Sequence, residues 1–96
     1  MKYSLMYPTS LAEVNPDNDN VDVCLQLEDG RQFSFVVATP ANVSCLMDAD
    51  NVDYLSPGLP FLFVKKINED NIRHLFDELI AQGEWLLNLY GSDTFA

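Results

Sequence analysis

Apolar and polar residues alternate over 1–7, with Tyr3, Leu5 and Tyr7 on one side, which predicts a short strand ending at Pro8. Residues 9–20 break the pattern with Asn15-Pro16 and the polar run Asp17-Asn18-Asp19-Asn20, as a loop does. Alternation then resumes in two runs, Val21 to Leu27 and Arg31 to Val37, on either side of Glu28-Asp29-Gly30. A two-residue turn at Asp29-Gly30 would set Leu25 opposite Ser34 and Gln26 opposite Phe33, mixing apolar and polar residues on each face. A three-residue loop closing with Gly30 in the left-handed region, as a G1 bulge, instead pairs Leu25 with Phe33, Val23 with Phe35 and Val21 with Val37. One face becomes wholly apolar, so the sequence predicts a bulged hairpin in this register.

The period changes after the hairpin. Thr39 reads as an N-cap with Pro40 at the first helical position, and Val43, Leu46 and Met47 supply an i, i+3, i+4 stripe for a short helix ending near Asp48. Ser56-Pro57-Gly58 fits a type II turn. Leu59 to Lys66 is apolar on both faces until its lysines, the pattern of a central strand covered above and below. Asn68 then caps a helix that places Ile72, Leu75, Phe76, Leu79 and Ile80 on one face; Glu69-Arg73-Asp77 forms an i, i+4 charge ladder, and Gly83 ends the helix. Trp85 to Tyr90 is an apolar run of strand length, so residues 59–90 resemble a right-handed β-α-β unit with parallel strands. The expected fold is one α+β domain over 1–96, with a mixed sheet of four to five strands, an N-terminal bulged hairpin, a short helix and the C-terminal β-α-β unit.

Composition narrows the class. Apolar residues make up 48% of the 96, enough for a single globular core but not for separate substrate and cofactor lobes. The longest apolar run, Leu59 to Val64, is far too short to span a membrane, and residues 1–10 lack the pattern of a signal peptide, so a cytoplasmic protein is expected. The formal net charge of −10 is unevenly placed: no Lys or Arg lies between Lys2 and Arg31 or between Arg31 and Lys65, where nine carboxylates fall. Phosphate backbones would be repelled, which argues against a nucleic-acid partner.

The candidate chemistry is sparse. Cys24 and Cys45 have neither metal-site nor Cys-x-x-Cys spacing and read as reduced structural thiols. His74, the one histidine, has Asp70 one helical turn before it and Glu78 one turn after it, too few ligands for a metal and no third group for acid/base work. Asp17 to Glu28 echoes the spacing of a calcium-binding EF-hand loop, but Asp22 stands where glycine must make the sharp turn, so a polar loop with Asx turns is expected. No cysteine or serine sits in a nucleophile motif and no glycine-rich phosphate loop is present. No catalytic residue, metal or cofactor is therefore assigned.

The function that remains is binding. The leading expectation is a non-enzymatic domain presenting acidic loops to a basic protein, with Glu13, Asp17, Asp19, Asp48, Asp50, Asp53 and Tyr54 on the contact surface. In size, charge and layout the chain resembles the small acidic immunity proteins that neutralise bacterial toxins, which implies a basic partner and carries over no particular residue. The alternative is a structural or regulatory homodimer whose acidity serves solubility, meeting through apolar surface around residues 61–64 and 85–90. A small enzyme or metal-binding protein using His74 with nearby carboxylates ranks third.

Overall fold

The bulged hairpin forms in the register that gives it one wholly apolar face. Computed as a structural model, the chain is described over residues 2–55, 57 and 60–93. Strand β2 (Asn20–Leu27) pairs antiparallel with β3 (Gln32–Ala38), setting Leu25 opposite Phe33, Val23 opposite Phe35 and Val21 opposite Val37. Gly30, at φ 94°, donates its N–H to the Leu27 carbonyl at 3.0 Å, and Leu27 donates to Arg31 at 2.9 Å, closing the three-residue loop. Strand β1 (Tyr3–Met6) adds antiparallel to β2, with Leu5 opposite Leu25.

Beyond the hairpin come α1 (Pro40–Asp50), β4 (Phe61–Phe63), α2 (Glu69–Gln82), α3 (Trp85–Tyr90) and β5 (Ser92–Asp93). Among the described residues the sheet has the order β1-β2-β3-β4, with β5 also paired to β3, and it is mixed: β3 and β4 run parallel and the other pairs antiparallel. Helix α2 starts at Asn68, whose side chain accepts the Asn71 N–H at 2.8 Å, and stops at Gly83, as its capping residues dictate. Its Ile72, Phe76 and Leu79 press on the apolar face of the hairpin, and the Phe76 ring meets Phe35 edge-on at 5.1 Å. Side chains buried this completely contribute on the order of 1.5–3 kcal/mol each through removal from water.

Three expectations are corrected. Trp85 to Tyr90 is a helix, not a strand: it buries the consecutive residues Leu86 and Leu87, which an alternating strand would split between two faces. The strand that completes the strand–helix–strand order is β5, and it pairs antiparallel with Phe33 and Ser34 of β3 instead of parallel. Finally, β4 is shorter than Leu59 to Lys66 and lies at the sheet edge. Its apolar residues on both faces have a different cause: Leu62 enters the core, while Phe61 is half-buried and Phe63 is 48% exposed on the side that no helix covers. The turn expected at Ser56-Pro57-Gly58 lies outside the described residues, as does Leu59.

The result is one sheet with α2 and α3 on one face. The other face carries Ser4, Met6, Asp22, Cys24, Gln26, Gln32 and Ser34, all exposed or half-buried. Helix α1 follows β3 directly. It stands at the end of the sheet where β2 begins and β3 finishes, and buries none of its residues completely.

Candidate partner-binding surface

The sheet end that carries α1 is built around Thr39. Its hydroxyl oxygen, fully buried, accepts the Asn42 N–H that starts α1 and the Asp19 N–H of the preceding loop, at 3.2 and 3.3 Å. The Thr39 N–H returns a bond to the Asp19 carbonyl at 3.1 Å. Two side-chain contacts then lay the loop along α1, Asn20 to Asn42 at 2.8 Å and Asn18 to the Cys45 sulfur at 3.4 Å. Asn42, Cys45 and Asp48 follow at helical spacing, so the loop climbs the helix side that leads towards Asp48.

The seven candidate residues separate into four groups. Asp19 is occupied structurally: its carboxylate accepts the backbone N–H groups of Asn15 and Asn20, at 3.0 and 2.8 Å. Asp17 is exposed, follows an Asx turn in which the Asn15 side chain accepts its N–H, and faces Lys66 at 3.4 Å. Asp48, Asp50, Asp53 and Tyr54 gather at the far end of α1, all exposed, with Tyr54 64% accessible. Glu13 stands apart on a 3-10 turn (Leu11–Glu13), and among the described residues no hydrogen bond or ion pair of its side chain ties it to the others.

The end of α1 concentrates negative charge in two ways. Asn51 adopts the left-handed conformation (φ 56°), and the Asn51 and Val52 N–H groups return to the Asp48 and Met47 carbonyls as a Schellman cap. A helix C-terminus already carries partial negative charge, and here Asp48 and Asp50 add two carboxylates, with no basic residue in the last turn to offset them. None of Asp48, Asp50 and Asp53 has an ion-pair partner among the described residues. The apolar stripe of the same helix, Val43, Leu46 and Met47, stays half-buried.

The groups with shifted titration lie elsewhere: Asp29 and Arg31 in the hairpin loop, and the others on the seam that joins β1 and its following residue Tyr7 to α2. Burial pushes the Tyr3 hydroxyl up to about 12, assisted by its hydrogen bond to Asp77. Burial likewise raises Tyr7, whose hydroxyl is shielded from solvent near Glu69 without a hydrogen bond of good geometry among the described residues. Glu69 is held below the usual carboxylate range by the neighbouring Tyr7 hydroxyl and by Arg73, its ion-pair partner at 2.7 Å. Asp77, expected to extend that ladder, takes the Tyr3 hydroxyl instead. These contacts hold an edge strand to the helix. They were not legible from either segment alone.

His74 is exposed on α2, and among the described residues no group of three or more His, Cys, Asp or Glu side chains is placed to hold a metal ion. Cys24 is half-buried, Cys45 is exposed, and both are free thiols. No helix among the described residues is long and apolar enough to cross a membrane. Comparison of the chain with protein-family models, with curated proteins and with solved structures yields no match.

Proposed function

We propose that this domain is a non-enzymatic binding protein whose ligand is a basic protein, received at the far end of α1. The observation that carries the reading is the grouping of Asp48, Asp50 and Asp53, unpaired and exposed, at the negative end of a helix and beside the exposed Tyr54. Charge placed there works against the helix itself, so solubility alone would be served better almost anywhere else. Tyr54 supplies an aromatic anchor and the half-buried stripe of α1 supplies apolar area, the composition of an interface centre with a charged rim. Association is fast and weakens with salt. The immunity-type role, masking a basic toxin, is the specific form of this proposal, and free thiols fit a reducing cytoplasmic setting.

The test is affinity capture from the source cell with the parent chain and with a variant carrying Asp48→Asn, Asp50→Asn and Asp53→Asn. The expected result is a basic protein retained by the parent at low salt, released at high salt, and lost with both the triple variant and Tyr54→Ala. Retention of the same proteins by the triple variant overturns the assignment.

A further inference from the structure

We propose that α1 opens and melts as a unit while the sheet and α2 stay folded, and that the Thr39 hydroxyl is the latch that holds it closed. A helix in a folded protein draws most of its stability from an apolar face packed into the core, and α2 does so through Ile72, Phe76 and Leu79. Helix α1 does not. None of its residues is buried, and Val43, Leu46 and Met47 belong neither to the core nor to the half-buried hydrophobics packed against it.

The sequence of α1 does not make up the difference. An isolated helix of 11 residues is marginal in water, and Asn42, Val43, Ser44 and Cys45 are weak helix formers. Asp48 and Asp50 then oppose the dipole at its C-terminus. The Schellman cap is built from the last turn itself, so it closes and melts with the helix.

What holds α1 is therefore polar and local to one end of the sheet. Among the described residues, the side-chain hydrogen bonds that tie it to distant parts of the chain run to Asn18 and Asn20 of one loop. Both contacts are exposed, where exchange with water leaves little net gain. The Thr39 hydroxyl is fully buried, and it alone accepts both the Asn42 N–H of the first turn and the Asp19 N–H of the loop. With this latch open, the 11-residue segment has neither cap nor packing to keep it helical. The core loses nothing by that opening, so its free energy lies below that of global unfolding. The inference concerns how α1 is held and stands whether or not its acidic end receives a basic partner.

Native-state hydrogen exchange of the full chain by NMR, at urea concentrations below the unfolding transition, is the test, with Thr39→Val as the variant. In the parent, the best-protected amides of α1 should be about a hundredfold or more less protected than those of β2, β3 and α2, with a weaker dependence on urea because their opening exposes less surface. The Asp19, Thr39 and Asn42 amides should share that opening. Thr39→Val keeps the shape of the side chain but removes the acceptor of two N–H groups. It should speed α1 exchange by about a further tenfold or more, while the resonances of β2, β3 and α2 keep their native positions. Amides of α1 and α2 that share one opening with the same urea dependence overturn the proposal, because α1 then unfolds only with the core. Exchange of α1 that leaves Asp19 and Asn42 protected, a valine variant whose α1 exchanges at the parent's rate, or one that loses the core along with α1 overturns it equally.

Discussion

Tyr3 in β1 donates its hydroxyl proton to the Asp77 carboxylate in α2, joining an edge strand to the longest helix across 74 positions of sequence. The bond and the burial around it push the hydroxyl up to about 12, whereas in the unfolded chain it returns to about 10. A raised folded-state value favours the fold while the phenol is protonated. The contribution is therefore whole below about pH 10 and is lost as pH rises through about 12. Tyr3→Phe should lower stability at pH 7 by about 0.5–1 kcal/mol in urea denaturation, and should lose less of what remains between pH 10 and 12 than the parent does. Tyr7, shifted in the same direction, retains its own part of the alkaline loss. Equal alkaline losses in the two proteins would remove Tyr3 from the account.

Two glycines separate conformational cost from steric cost. Gly30 has φ 94° and open space around the position of a Cβ, so Gly30→Ala should cost about 1 kcal/mol through backbone strain alone. Gly91 has an ordinary φ of −99°, but a Cβ there would stand 2.7 Å from the Leu87 carbonyl oxygen and 2.8 Å from the Phe35 ring. Gly91→Ala should therefore cost about 1–3 kcal/mol through overpacking. Chemical denaturation midpoints decide between the two, and the reverse order would mean that the α3–β5 junction yields more easily than the hairpin.

The hairpin was legible because period-two alternation, a glycine and a three-residue loop admit one register with an apolar face. Helix α2 was legible because its cap, its stripe and its terminating glycine agree. Trp85 to Tyr90 was not, because an apolar run of six satisfies either strand or helix. What selects the helix is tertiary: Leu86 and Leu87 both enter the core, and Gly91 must then pass close to Phe35. Likewise Phe61 to Phe63 looks covered on both faces when read as a string, whereas Phe63 faces solvent in the folded chain. At the acidic surface, exposure was readable for Asp48 and Asp50. The use of the Asp19 carboxylate by two backbone N–H groups depends on loop geometry that no local pattern encodes.

Asn51 is the non-glycine residue at positive φ among the described residues, and its conformation lets the cap of α1 form. Asparagine tolerates that region better than residues with plain side chains. Asn51→Ala should cost about 1 kcal/mol by raising the energy of the left-handed cap, while Asn51→Gly should leave stability equal or slightly higher. Thermal midpoints of the three proteins test the ranking, and an alanine variant as stable as the parent would mean that the cap contributes nothing to α1.

The charge at the end of α1 yields a prediction in which stability and binding move in opposite directions. Asp50 occupies the last residue of a helix whose final turn contains no cation. Replacing it by lysine removes a repulsion with the helix dipole and introduces an attraction, so Asp50→Lys should raise stability by about 0.3–1 kcal/mol at low salt. If the carboxylate is there only for solubility, that gain has no counterpart. If the end of α1 receives a basic partner, the same substitution should slow association and weaken the complex, an effect that added salt diminishes as it screens the charges. Urea denaturation of the free protein and stopped-flow association with the captured partner measure the two sides. A variant that is more stable and binds undiminished would remove the α1 carboxylates from the interface, whereas a stability gain coupled to a loss of association rate is the pattern expected of charge retained for binding at the expense of the fold.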